Sequence, residues 1–344
     1  MKQLLATRTV NLSPKDRAKV NQMQTSSVLM DGKLSARSEA NRIHGYGGPD
    51  TLKLDEVPIP AYGEAQVLVH VMAAGVNGLD WKIRDGLLKE VRPLEFPATL
   101  GFEIAGVVVA AGIQASKFAL GDRVVAPMGG MGAYADFVAV DEKELSAIPA
   151  GLSDVDAAAL PVAALTAWQA LEVGGGPRAG QKILIHGAAG GVGGFAVQFA
   201  KAAGAIVIAT VSGADRGYVL GLGADQVIDY KAERFEDTTS DVNVVLDLVG
   251  GEIVDRSWSV LVPDGIIVST PDPTLSSAGP GGRRGIGVQM HPDPERLEEI
   301  AVAVAAGTLK STIAEVTTRS NLPAAVERTM TGHAPGKIVL DLTR

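Results

Sequence analysis

ILIHGAAGGVGGFAVQFAKAAGA, residues 183–205, decides the fold. It opens on a short apolar run rich in isoleucine, which reads as a buried strand. The run enters a turn of glycine and small residues, and apolar positions then recur at helical spacing. Strand, glycine turn and helix in this order let a backbone approach a pyrophosphate. The helix N-terminus adds unspent N–H groups and the positive end of its dipole. Against the pattern G-x-G-x-x-G the three positions are Ala188, Gly190 and Gly193, so the first glycine is replaced. A lone fingerprint is weak evidence, and its surroundings carry the reading. AIVIAT (205–210), QVIDY (226–230), VNVVLDL (242–248) and GIIVST (265–270) alternate with helical stretches. That alternation predicts a doubly wound parallel sheet.

Upstream the texture is different. NRIHGYGGPDTLKLDEVPIP (41–60), EAQVLVHVMAAGV (64–76), FEIAGVVVAAG (102–112) and GDRVVAPM (121–128) are short β-rich runs punctuated by glycine and proline. Downstream come a helix over about 294–307, a strand near 312–317, a helix over about 321–331 and a last strand, KIVLDL (337–342). Residues 1–39 hold seven Lys/Arg against three Asp/Glu and read as a tail outside the folded body. They lack the apolar core of a secretory signal. Their basic, Ser-containing, acid-poor composition also suits an organelle transit peptide, but the expectation is a cytoplasmic protein.

With 344 residues the chain fits two domains. Its net charge of −8 argues against nucleic acid as a partner, and no uninterrupted apolar run is long enough to span a membrane. There is no cysteine, which excludes disulfides, thiolate metal sites and thiol nucleophiles. His44, His70, His186, His291 and His333 are scattered without metal-type spacing.

An NAD-binding unit usually places a carboxylate on the ribose about twenty residues past the glycine turn. Here the strand end reads Thr210-Val211-Ser212, followed by Arg216. A hydroxyl and a guanidinium suit a 2′-phosphate, so the expected cofactor is NADPH, provided that Asp215 points away.

AAGVNGLDWKIRDG (73–86), FPATLGFEIAGVV (96–108), FALGDRVVA (118–126), GAYADFV (132–138), ALPVAALTAWQAL (159–171), AAGGVG (188–193), VVLDLVGG (244–251) and PGKIVL (335–340) follow one another in order. As a set they resemble the zinc-independent quinone oxidoreductase branch of the medium-chain dehydrogenases/reductases. The resemblance implies an α/β fold with a GroES-like β-rich catalytic domain from 40–163, a Rossmann NADP-binding domain from 164–289, and a C-terminal part, 290–344, that completes the catalytic domain. It also implies a homodimer. Thr166 is implied beside the nicotinamide, and Tyr230 near the adenosine phosphate. Ala188, Gly190, Gly191, Val192 and Gly193 are implied around the pyrophosphate, with Lys337 as a further cofactor contact. The zinc branch carries a cysteine and a histidine where this chain has Asn77 and Phe102, neither a useful zinc ligand, so no metal is expected.

A metal-free hydride donor suits a conjugated acceptor, a small quinone or enone, in which the negative charge develops on a distant oxygen. Asn77 and Lys82, on one loop, are the expected catalytic donors to that oxygen. Asp80 is expected to order their loop, and residues 86–95 and 271–285 to shape the pocket. Two alternatives remain. Enoyl-thioester reductases resemble this family but use a tyrosine just after the glycine matching Gly86, where this chain has Leu87 and Leu88. A non-catalytic NADPH-binding protein is the other.

Overall fold

A computed structural model describes residues 29–30, 33–34, 37–331 and 335–344. The nucleotide-binding half is a seven-stranded sheet in the order Gln226–Asp229, Ile206–Val211, Lys182–His186, Val242–Asp247, Leu261–Ser269, Arg284–Gly287, Ser276–Ala278. All neighbours are parallel except the last pair. Side chains of a strand alternate between faces, and both faces here are buried. Ile183, Ile185, Val207, Ala209, Val244 and Leu246 enter one apolar cluster, while Leu184, Ile208, Ile228, Val245 and Ile267 enter another. That double burial explains why the strands read as continuous apolar runs. Lys182–His186 lies between the strand that follows it in sequence and Val242–Asp247, so the chain's direction of travel across the sheet reverses at its C-terminal end. This is where an open α/β sheet leaves a crevice for a ligand.

The helix Pro161–Val173 packs on the helix Gly191–Ala202, with Trp168 edge-on to Phe199 at 5.3 Å between centroids. Proline at its first turn starts it without losing a helical hydrogen bond. Every residue from Ala163 to Leu171 is buried, so the helix is covered all round.

The β-rich half is a second seven-stranded sheet. Its order is Ser146–Ala147, Arg123–Pro127, Glu103–Ala111, Gln66–Val76, Lys337–Asp341, Ile313–Thr317, with Phe137–Asp141 also on Gln66–Val76. The last strand of the chain is thus interior here, antiparallel to Gln66–Val76 and parallel to Ile313–Thr317. Just before it, Gly336 bridges Gly190 of the glycine turn, and its N–H donates to the Ala189 carbonyl at 2.9 Å. The two sheets meet at that bridge.

The tail expected over 1–39 is corrected at its end. Arg37–Ile43 is a strand in register with Leu52–Pro58, starting at the Arg37–Pro58 pair, and Leu29–Met30 pairs with Lys33–Leu34. The polar residues 37–39 carry no apolar alternation, so no local signal marks the start of this strand. Residues 1–28 and His333 lie outside the described residues.

Candidate active site

The strand Gln66–Val76 ends at Asn77, which caps the helix Gly78–Arg84. The Asn77 N–H donates to Asp80 Oδ2 at 2.8 Å. Asp80 is fully buried, and it also accepts from Gly101 N at 3.1 Å and from the Tyr134 hydroxyl at 2.8 Å. Burial pushes its carboxyl up to about 6, against these hydrogen bonds and the Lys337 charge. Asp80 therefore ties the loop that presents Asn77 to the body of the domain.

Glu103, the first residue of the strand Glu103–Ala111, is also fully buried. Its Oε1 accepts from Lys337 Nζ at 2.6 Å and from Asn77 Nδ2 at 2.9 Å, and its Oε2 accepts from Val162 N at 2.7 Å. Val162 lies in the first turn of a helix, where the dipole favours an anion. Lys337 Nζ donates further to Asn77 Oδ1 at 2.6 Å and to the Val76 carbonyl at 3.3 Å. The Asn77 amide is thereby oriented, oxygen to the ammonium and nitrogen to the carboxylate. Gly75 makes room: a Cβ there would stand 2.1 Å from Glu103 Oε1.

Across the domain bridge, Gly190 caps the helix Gly191–Ala202 without a side chain, so no side-chain acceptor covers its first-turn N–H groups. A Cβ on Gly193 would meet the Gly187 carbonyl at 2.4 Å; close packing of helix on turn requires glycine there. Ala188 is buried, with its N–H on the Thr210 carbonyl at 3.3 Å, and Val192 packs against the main apolar cluster. Under the turn, His186 sits between the Thr210 and Ser257 hydroxyls at 3.0 and 3.2 Å, edge-on to Phe235. Burial lowers it to about 4, leaving it neutral.

At the next strand end Ser212 Oγ donates to Asp215 Oδ2 at 2.6 Å, and Arg216 Nη1 donates to the Val227 carbonyl at 2.9 Å. The condition set on Asp215 is not met: its carboxylate faces the serine. Tyr230 is exposed, with Lys231 Nζ 5.8 Å from its ring centroid. Thr166 is buried, and its hydroxyl makes no hydrogen bond among the described residues.

The structure brings together Asn77, Lys337 and the glycine turn; Lys82, on the helix that Asn77 caps, takes no part in their hydrogen bonds. Lys82 Nζ lies 5.9 Å from the Trp81 ring centroid and donates to none of the cluster. The expectation of Asn77 as a free donor is corrected, since its amide hydrogens go to Glu103 and, at 3.3 Å, to the Gly75 carbonyl. The ammonium beside Asn77 belongs to Lys337, not to its loop neighbour. Sequence reasoning missed Glu103. Its signal was a carboxylate opening an otherwise apolar strand, answered by a lysine opening another.

Among the described residues no three His, Cys, Asp or Glu side chains group to hold a metal ion. At the two positions that matter stand an amide already bonded on both sides and the buried Phe102 ring, beside an ammonium. This donor set does not fit zinc.

Residues 63–150 match the model of the alcohol dehydrogenase GroES-like domain, and residues 222–340 that of the zinc-binding dehydrogenases. A chloroplastic quinone-oxidoreductase homolog of Spinacia oleracea is 36% identical, over 86% of this chain and 96% of its own. The chloroplastic quinone-oxidoreductase of Triphysaria versicolor is 34% identical over 91% and 100%. The solved quinone oxidoreductase of Coxiella burnetii superposes with a TM-score of 0.83 at 33% identity, over 89% of this chain and 99% of that one. The Escherichia coli quinone oxidoreductase, solved in complex with NADPH, gives 0.80 at 28%, over 88% and 100%. These relatives overturn the cytoplasmic expectation, because the plant proteins are chloroplastic. No helix among the described residues is long and apolar enough to cross a membrane.

Proposed function

The chain belongs to the medium-chain dehydrogenases/reductases, in their quinone oxidoreductase branch, and from that premise we propose that it reduces quinones and conjugated enones with NADPH and without a metal ion. The observation that carries this is the meeting of the glycine turn with the Asn77–Glu103–Lys337 cluster at the Gly190–Gly336 bridge. Reduced nicotinamide, when bound, supplies the hydride. The first-turn N–H groups at Gly191, Val192 and Gly193, with Ala188 and Gly190, receive the pyrophosphate. The free hydroxyl of Thr166 serves the nicotinamide end, and Tyr230 the adenosine end. Asn77 acts by keeping the cluster in shape. Lys82, which has no acceptor among the described residues, donates to the oxygen on which charge develops. A quinone or enone spreads that charge by conjugation, which suits a site whose donor set does not fit zinc. The preference for NADPH rests on Arg216, beside the end of the second strand, and on the NADPH bound by the Escherichia coli relative. The same family premise supports a homodimer.

The test is to mix the purified protein with NADPH and a panel of quinones, alkyl enones and saturated aldehydes, and to follow cofactor absorbance. Quinone and enone turnover is expected, reduced on the order of 10²–10³ in Lys82→Ala with NADPH affinity retained. Turnover of saturated aldehydes alone refutes the reading. Tight NADPH binding without turnover of any acceptor favours a non-catalytic role.

A further inference from the structure

Arg92 lies between the helix Gly78–Arg84 and the short strand Ala98–Thr99, with its guanidinium over the Phe102 ring, 5.3 Å from the centroid. Phe102 is buried and directly precedes Glu103, so this ring adjoins the Asn77–Glu103–Lys337 cluster in the chain. Arg92 is half-buried, yet its side chain makes no hydrogen bond or ion pair with any described residue. Arg84, Arg123, Arg256 and Arg319 are also at least partly buried, and each donates to a carboxylate. Glu90 and Glu95, close in sequence, are exposed and do not pair with Arg92. Leu88, Leu94, Met128 and Met131 pack on the apolar cluster that contains Phe102.

A guanidinium keeps its charge at any ordinary pH. Partly desolvated, with its donors unspent, it is well placed to gain from an anionic oxygen. The ring beneath it holds it through a cation–π contact and leaves the N–H edge for an acceptor, in the fork that matches a carboxylate. Glu103 does not supply that acceptor, because its oxygens are taken by Lys337, Asn77 and Val162. We propose that Arg92 is a specificity residue that binds a carboxylate carried by the electron acceptor, so that this enzyme favours anionic over neutral acceptors. The inference rests on the reductase reading above and adds the substrate class.

The test compares a 1,4-benzoquinone carrying a carboxyalkyl chain with its methyl ester, in the native protein, Arg92→Gln and Arg92→Lys. NADPH-driven turnover is measured, and also calorimetric binding of each quinone to protein loaded with NADP⁺, which cannot reduce it. The native protein is expected to favour the carboxylate, on the order of ten- to a hundredfold in kcat/KM and mainly through KM, the usual size of a charged hydrogen bond. Arg92→Gln is expected to bring the carboxylate-to-ester ratio near one, with Arg92→Lys between. The same ratio in native protein and Arg92→Gln overturns the proposal, as does a native preference for the ester. If neither quinone is turned over, the reductase reading fails and calorimetry alone decides. A carboxylate preference in binding that Arg92→Gln abolishes upholds the subsite, and equal or absent binding of the two quinones removes it.

Discussion

Lys337 passes Gly191 so closely that a Cβ on that glycine would stand 2.7 Å from Lys337 Cδ. Beyond this contact the ammonium reaches Glu103 Oε1 at 2.6 Å. One side chain thus touches the start of the turn helix in one domain and the buried carboxylate of the other. Shifts at the glycine turn reach Asn77 through it, because Asn77 Oδ1 accepts from the same ammonium.

Gly191→Ala is expected to push the lysine stem aside. Overpacking of this kind costs about 1–3 kcal/mol. NADPH affinity should fall with stability, since the added methyl lies beside the first-turn N–H groups. Urea unfolding and a fluorescence titration with NADPH check this, and unchanged values in both would show that the lysine moves freely.

Lys337→Met leaves the Glu103 carboxylate buried without its cation. Breaking one side of a buried pair costs about 3–5 kcal/mol. Adding Glu103→Gln to Lys337→Met is expected to recover part of that loss, because no buried charge remains uncompensated. Thermal or denaturant unfolding of the two singles and the double measures the coupling; additive losses would mean the pair is not coupled in the folded protein.

The neutral His186 makes stability depend on pH. Its folded value, about 4, lies below the ordinary 6.5, so between those values the unfolded chain binds the proton and the folded one does not. The histidine's contribution is therefore complete above about 6.5 and is lost as pH falls toward 4, by about 1.4 kcal/mol per unit at most. Asp80, raised to about 6, works in the opposite direction between 3.8 and 6. Unfolding of native protein and His186→Asn across pH 4–8 separates the two, since Asp80 is common to both. The variant should show a shallower loss of stability on the acid side, and parallel curves would rule out the histidine.

Cofactor choice is tested at Arg216 and Asp215. Arg216→Ala should weaken NADPH on the order of tenfold or more and NADH little. Asp215→Asn removes the carboxylate now bonded to Ser212 and should strengthen NADPH. Equal effects on both cofactors in either variant would take the 2′-phosphate away from this strand end.

Local signals carried much of the fold. The strand Lys182–His186, its glycine turn and the helix Gly191–Ala202 are contiguous, and apolar periodicity reports contiguous burial directly. Asp80 was legible as a loop anchor because its first partner, Asn77 N, is three residues away. The opening of the strand Arg37–Ile43 was missed, since its polar first residues carry no periodic apolar signal.

Taken alone, the sequence determined the two kinds of sheet, the glycine turn at the reversal point of one of them, and the absence of thiolate ligands. These follow from residue type and short-range spacing. Tertiary structure alone decided which groups meet. Glu103 and Lys337 are 234 residues apart, and Arg92 finds Phe102 but no acceptor. Asn77 is turned to Lys337 and not to Lys82, and Asp215 faces Ser212. The physical reason is the same in each case. A buried polar atom must be paired, but the partner is whatever the packed chain delivers within hydrogen-bond reach, and no local spacing encodes that distance.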